Sequence, residues 1–325
     1  MIFATARPPV PTTEAASGGG GQTRAYLCAG GAGVYGRMGG VTSAPEHLQS
    51  QDARPSARTP RLIATDLDGT LLRDDKTVSD RTIAALADAE AAGIEVFFVT
   101  GRPARWMNVV AEHTARHGMA ICANGAAVYD LHRGRLLAAY PLDTKDALAI
   151  VDALRTAVPG TTFAVERTNG FSYEPAYPPY APMPDAVIAP AEELLADIGA
   201  PVLKLLAKHP DADPDAFLAT ALSAAGEHGE ITRSSASALL EISGPGVSKA
   251  TTLARCCAER GVSAEEVVAF GDMPNDLAML SWAGTSYAVA NAHPAVLAAT
   301  THRTTANQDD GVARIIERIL RTRDN

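Results

Sequence analysis

From residue 61 onward the sequence alternates short, almost wholly apolar runs with longer stretches whose apolar residues recur at helical spacing. A chain satisfies that pattern by burying a parallel sheet between two layers of helix. RLIAT reads as the first strand. Ser79 can cap a helix in which Ile83, Leu86 and Ala87 share a face, and Gly93 ends it. IEVFFVT is a buried-type strand, followed by a helix over 103–117, the strand MAICA, and a hairpin, AVYDLHRGRLLAAY, turning at Arg133 and Gly134. Residues 144–232 read as a separate unit with its own helices, DALAIVDALRTAV and PDAFLATALSAAGEHG, and strands TFAVER and PVLKLLAK. Strand and helix then alternate again through SKATTLARCCAERG, EVVAFGD, NDLAMLSWAG, TSYAVA and VARIIERILR. The expected fold is therefore α/β: a Rossmann-like parallel-sheet core over 59–143 and 233–325, with an α/β cap inserted at 144–232.

A chain of 325 residues, 46% hydrophobic and 20% charged, can bury a core large enough for two domains. Its formal net charge of -9 and the lack of a basic stripe argue against nucleic-acid binding by phosphate neutralisation. A small anionic substrate would need local help, such as a cation. Cys28, Cys122, Cys256 and Cys257 have no metal-ligand spacing, which suggests a reducing compartment. No run of about 18 apolar residues could span a bilayer, so the expectation is a cytoplasmic protein with no membrane partner, a monomer or homodimer. Residues 1–58, rich in Gly, Pro, Ser, Thr and Ala, read as a disordered extension. Gly31, Gly33 and Gly36 within it fit the G-x-G-x-x-G pattern, but no helix pattern follows, and the match is read as coincidence.

The chemistry concentrates where apolar strands end in polar residues. In LIATDLDGTLL, Asp66 and Asp68 follow the first strand; Thr100 ends the second, and Asp272 ends a later one. Ligands of open α/β sheets bind beyond the carboxyl ends of the strands, so these groups should meet at one edge. Convergent carboxylates do not all stay ionised without a positive neighbour. Oxygen ligands from Asp side chains and backbone carbonyls suit Mg²⁺, which keeps phosphate or water in its remaining positions. Phosphate is then the natural substrate group.

Asp66-Leu67-Asp68-Gly69-Thr70, Thr100-Gly101-Arg102-Pro103, Lys249 and Gly271-Asp272-Met273-Pro274-Asn275-Asp276 resemble the four ordered motifs of the haloacid dehalogenase superfamily. The long insert between the second and third motifs resembles the class IIB cap of its Cof-like phosphatases. The likeness runs over 61–320 and includes Asn291-Ala292 and Asp310-Gly311-Val312. It implies an Mg²⁺-dependent phosphatase of small phosphomonoesters, such as sugar phosphates or phosphorylated cofactors. Asp66 would be the nucleophile, forming an aspartyl-phosphate. Asp68 would protonate the leaving oxygen and then activate water. The metal would lie on Asp66, the backbone carbonyl of Asp68, and Asp272. Thr100, Lys249 and Asn275 would bind the phosphoryl oxygens. Asp276, Gly101, Arg102 and Asn124 would support the site, Asp276 by holding Lys249 or a water of the metal. Ala250 departs from the pattern, since glycine usually follows the lysine in these phosphatases; a small packing change is expected.

Several residues have plainer readings. His113 and His117 are one helical turn apart, but without H-E-x-x-H they read as an exposed helix face. FSYEPAYPPYAPMP reads as a cap loop facing the substrate in preference to a polyproline ligand. Lys204, on an apolar strand of the cap, is a candidate specificity residue. Two rivals to the phosphatase remain: a sugar phosphomutase, which needs a bisphosphate activator, and a non-catalytic metabolite-binding sensor. Retention of both Asp66 and Asp68 counts against the sensor. Because nothing in 1–58 resembles a site, deleting those residues should leave turnover unchanged. A large loss in the truncated protein, assayed beside the full chain, would contradict that reading.

Overall fold

The computed structural model describes residues 60–112, 118–179 and 183–323. The extension expected at 1–58, its glycine-rich pattern, and His113 and His117 lie outside the described residues. The first five strands are β1 (Leu62–Thr65), β2 (Glu95–Val99), β3 (Met119–Cys122), β4 (Ala127–Asp130) and β5 (Arg135–Ala139). β6 (Thr162–Arg167), β7 (Gly170–Tyr173), β8 (Val202–Lys208), β9 (Glu230–Thr232) and β10 (Leu239–Ser243) build a second sheet. β11 (Val267–Gly271), β12 (Thr285–Ala288) and β13 (His302–Arg303) return to the first. The helices are α1 (Asp80–Ala91), α2 (Asn108–Ala111), α3 (Thr144–Ala157), α4 (Ala191–Ala196), α5 (Pro214–Ala225), α6 (Lys249–Glu259), α7 (Leu277–Trp282), α8 (Pro294–Ala299) and α9 (Gly311–Arg323).

Among the described residues the first sheet has eight strands in the order β13-β12-β11-β1-β2-β3-β4-β5. Its first six are parallel, and β4 and β5 close one side as an antiparallel hairpin. Both faces are covered, so the central strands β1, β2, β3 and β11 are apolar except at Thr65 and Glu95. In β1, Ile63 points into the cluster beneath α1 and α9, while Leu62 and Ala64 point into the one beneath α6, α7 and α8. Capping fixes where the helices begin. The Ser79 side chain accepts the Thr82 N–H at 3.1 Å to start α1. Ser248 and Thr251 exchange hydrogen bonds to start α6. The helix expected over 103–117 is shorter where it is described: a 3₁₀ turn at Ala104–Trp106, then α2. Asn108, Val109 and Val110 are weak helix formers, consistent with that interruption.

The second sheet is antiparallel, in the order β7-β6-β8-β10-β9. It extends past residue 232, where sequence placed the end of the insert, because β10 pairs with both β8 and β9. Leu240 and Ile242 of β10 fill the apolar cluster under α3, α4 and α5, which covers one face. The segment expected to be a cap loop begins as β7, and Phe171, Tyr173 and Tyr177 pack with Ala164 and Leu206 on the opposite face. That face also carries Glu166, Lys204 and Glu241, which touch the first sheet's loops.

Four neighbouring parallel strands, β11, β1, β2 and β3, end on the same edge. Asp272, Asp66, Thr100 and the segment Ala123–Gly125 follow them directly. The right-handed strand-helix crossovers of such a sheet leave this edge open to a ligand.

Candidate active site

Asp66 is the first residue after β1, and its N–H donates to the Phe270 carbonyl of β11 at 3.0 Å. The ladder therefore holds it directly beside Asp272. Lys249, the first residue of α6, reaches across to both neighbouring acids: Nζ lies 2.6 Å from Asp66 Oδ1 and 2.7 Å from Asp276 Oδ1. All three side chains are buried. The other oxygen of Asp276 accepts the backbone N–H groups of Asp272 and Met273, each at 3.0 Å. Asp276 thus fixes both the lysine and the turn that presents Asp272. Thr70 donates its hydroxyl to Asp272 Oδ1 at 2.9 Å.

Asp66, Asp272 and Asp276 place carboxylate oxygens within 4.8 Å of one another. With all three ionised, the one ammonium touching them leaves two negative charges uncompensated. The protonation behaviour follows. Burial pushes the Asp66 carboxyl well above the usual range, with Lys249 opposing it and Asp276 and Asp272 adding to it. Burial, and then the Asp276 charge, push Asp272 up to about 7. Burial works against the Lys249 charge, yet Asp276 and then Asp66 hold that ammonium above the ordinary lysine value. An all-oxygen cluster with two surplus charges fits a hard divalent cation. Both Asp276 oxygens are already engaged, which leaves Asp66 and Asp272 with the freer oxygens.

Asp68 stands apart from this cluster. Arg102 grips it in bidentate fashion, Nε to Oδ2 at 2.5 Å and Nη2 to Oδ1 at 2.7 Å, and Lys76 Nζ lies 3.0 Å from Oδ1. Burial would raise its pKa, but Arg102 and then Lys76 hold it below the ordinary value. Its side chain keeps 37% of its exposure, so it retains room to move. Gly69 follows at φ +83°, and a Cβ there would lie 2.3 Å from Asp272 Oδ2. Only glycine allows the loop to pass so close to that carboxylate.

The remaining residues singled out from sequence form a second connected group. Thr100 Oγ1 accepts the Arg102 N–H at 3.1 Å, and its carbonyl accepts the Asn124 N–H at 3.0 Å. Asn124 has left-handed backbone, φ 55°, just after Ala123 at φ 50°. Asn275 Nδ2 donates to Asn124 Oδ1 at 3.1 Å, and Asn275 Oδ1 is buried with no hydrogen-bond partner among the described residues. The Gly101 carbonyl accepts from Lys204 Nζ at 2.8 Å. Ala250 puts its methyl into the apolar cluster under α6.

Three contacts had no separate reading from sequence. Thr70 lay within the first motif without a role of its own. Asn291 donates to the Gly69 carbonyl at 2.7 Å and accepts the Asn307 N–H at 3.0 Å, bracing the loop after Asp68. Glu241 bonds Asn124 and Lys204. Nothing in LLEIS distinguishes that lone acid from a solvated strand residue.

The profile of the haloacid dehalogenase-like hydrolases matches residues 63–316, which includes both sheets. The chain belongs to this hydrolase family. Within it, the chain is 32% identical over 276 residues to the pyridoxal phosphate phosphatase YbhA of Escherichia coli, covering 79% of this chain and 98% of that protein. It is 30% identical over 262 residues to the 5-amino-6-(5-phospho-D-ribitylamino)uracil phosphatase YitU of Bacillus subtilis, covering 79% and 97%. Among solved structures, a haloacid dehalogenase-like hydrolase from B. subtilis superposes with a TM-score of 0.66 at 26% identity, over 79% of this chain and 99% of that one. No helix among the described residues is long and apolar enough to cross a membrane.

Thr70→Val keeps the shape of the side chain but removes the hydroxyl that donates to Asp272. It should cost about 1–3 kcal/mol in urea unfolding of the metal-free protein. An unchanged midpoint would show that this hydrogen bond does not hold the carboxylate.

Proposed function

We propose that this chain is an Mg²⁺-dependent phosphatase of small phosphomonoesters that works through an aspartyl-phosphate on Asp66. The observation that carries the proposal is the buried cluster of Asp66, Asp272 and Asp276 around Lys249 at the carboxyl edge of the sheet. The named activities of YbhA and YitU, both phosphatases of phosphorylated small molecules, support the reaction class. Two surplus negative charges would repel a phosphate, so a divalent cation is needed before one can bind. Asp66, Asp272 and the backbone carbonyl of Asp68 would hold Mg²⁺, which supplies charge neutralisation at the phosphoryl oxygens.

The chain's own groups then divide the work. Lys249 holds one oxygen of Asp66 and opposes the upward push that burial gives its carboxyl, leaving the other oxygen to attack phosphorus. As that bond forms, the ester P–O bond breaks, and its electron pair leaves on the substrate oxygen. Asp68, released from Arg102 and Lys76 and protonated from solvent, delivers that proton to the leaving oxygen. In the second half-reaction Asp68 takes a proton from water, the resulting hydroxide attacks phosphorus, and Asp66 is freed as carboxylate. Thr100 and Lys249 provide the donors for the transferring group, with Arg102, Gly101 and Asn124 fixing the loops around it. Asn275 donates to Asn124, so its part in phosphate binding would use the remaining amide proton. Asp276 acts by orienting Lys249 and the turn that presents Asp272. The second sheet serves as the cap, closing over the edge and excluding water.

The test is phosphate release from a broad panel of phosphomonoesters, with and without Mg²⁺. Asp66→Asn should lower metal-dependent release by roughly 10³-fold or more while the circular dichroism spectrum is retained. Undiminished release in that variant would end the proposed mechanism.

A further inference from the structure

The face of the second sheet that meets the core is not uniformly apolar. Glu166, Lys204 and Glu241 lie on it, on the three adjacent strands β6, β8 and β10. Lys204 is the register partner of Glu166, and Glu241 is opposite Leu206, one diagonal step from Lys204. The register of β6 against β8 slips between Glu166 and Arg167, so that Arg167 pairs with Val202 and Leu203 is passed over. Leu203 consequently packs into the core's apolar cluster, and Lys204 beside it also turns toward the core. A bulge beside a site commonly re-aims a side chain in this way.

Each of these three charged groups is tied to a core loop. Glu166 pairs with Arg105. Lys204 Nζ donates to the Gly101 carbonyl at 2.8 Å and to Glu241 Oε2 at 3.2 Å. Glu241 accepts from Asn124 Nδ2 through Oε2 and from Ser234 Oγ at 2.7 Å through Oε1. The polar chain therefore runs from Lys204 through Glu241, Asn124 and Asn275 to the turn that carries Asp272 and Asp276. Gly101 fits beneath it closely: a Cβ there would lie 3.0 Å from Glu241 Oε2 and 3.2 Å from Asn124 Oδ1.

The Lys204 and Glu241 side chains retain 5% and 8% of their exposure. A buried lysine–glutamate pair is commonly no more stabilising than two apolar side chains of the same volume. Stability alone therefore does not account for it, and the two bonds it makes to core loops point to the site. Burial would raise the Glu241 pKa, but Lys204, Ser234 and Asn124 hold it below the ordinary value, which favours its carboxylate form. Lys204 has spent two of its three N–H groups, and Asn275 Oδ1 is a buried acceptor still without a donor. An ammonium donor and a vacant amide acceptor, on residues linked through Glu241 and Asn124, match a group that both donates and accepts hydrogen bonds.

We propose that Lys204 and Glu241 determine leaving-group specificity: Lys204 donates to the ester's alcohol portion, and Glu241 fixes Lys204 and Asn124 in place to receive it. The leaving groups favoured are polar ones bearing hydroxyls beyond the ester oxygen, over ones that are apolar there. This rests on the phosphatase reading and adds the basis of its selectivity.

The experiment compares kcat/KM for the best hydroxyl-bearing ester of the panel with kcat/KM for p-nitrophenyl phosphate, whose ring offers no hydroxyl. Lys204→Met and Glu241→Gln are measured with the double variant Lys204→Met/Glu241→Met, which leaves no unpaired buried charge and so keeps the test usable if a single variant fails to fold. The selectivity ratio should fall by about tenfold or more in the double variant. A ratio within about threefold of wild type, with both esters losing activity alike or neither losing any, would overturn the assignment and leave the pair a structural contact. No release by wild type above the Asp66→Asn blank would instead remove the phosphatase reading, and this inference with it.

Discussion

The structure depends on one ammonium group placed between two buried carboxylates. Lys249 Nζ touches Asp66 and Asp276, which joins the end of β1 and the turn before α7 to the start of α6. Without that charge, three acids in a desolvated cluster would have to take up protons, because carboxylates so close together do not all remain ionised. The contact also explains local choices in sequence. A lysine at the first position of α6 opposes the helix dipole, so the capping by Ser248 and Thr251 and the two ion pairs are what make that position tolerable. The backbone at Gly125 passes so near Ser248 that a Cβ would lie 2.3 Å from its carbonyl oxygen, which packs the end of β3 against the same helix start.

The sheet brings these groups together with little flexible chain. β11, β1, β2 and β3 are neighbours although they come from both ends of the described chain; the second sheet intervenes after the edge strand β5, and the chain re-enters the first sheet at β11, beside β1. Asp66 and Asp272, 206 positions apart in sequence, follow adjacent strands; a ladder hydrogen bond to Phe270 holds Asp66, and Asp276 and His293 hold the backbone of Asp272. Rigid placement of charge is what a phosphoryl-transfer site requires, because it stabilises the transition state without reorganising. In the proposed mechanism the group that moves is Asp68, whose partners Arg102 and Lys76 are the groups it would have to exchange for a leaving oxygen.

Much of this was legible in the sequence, for a physical reason. Apolar strands ending in polar residues mark the carboxyl edge, and DLDGT and GDMPND are short enough for their spacing to carry geometry. The strands of the core and the family followed from those signals. The less legible parts depend on contacts between distant segments. Glu241 is a single acid in LLEIS, and its meaning comes only when β10 pairs with β8 and brings it to Lys204. β10 was missed for the same reason: five residues with apolar alternation gain strand character from the pairing. The grip of Arg102 on Asp68 joins two motifs whose distance in sequence says nothing about contact.

The central claim is that Asp66 takes the phosphoryl group. The direct measurement is acid quench of the protein during turnover of a ³²P-labelled ester, followed by borohydride reduction and peptide mapping. The account predicts ³²P on the quenched protein, released as phosphate on reduction with tritiated borohydride while tritiated homoserine appears at position 66, and neither label in Asp66→Asn. Turnover with no protein-bound label, or with label on another peptide, would contradict it.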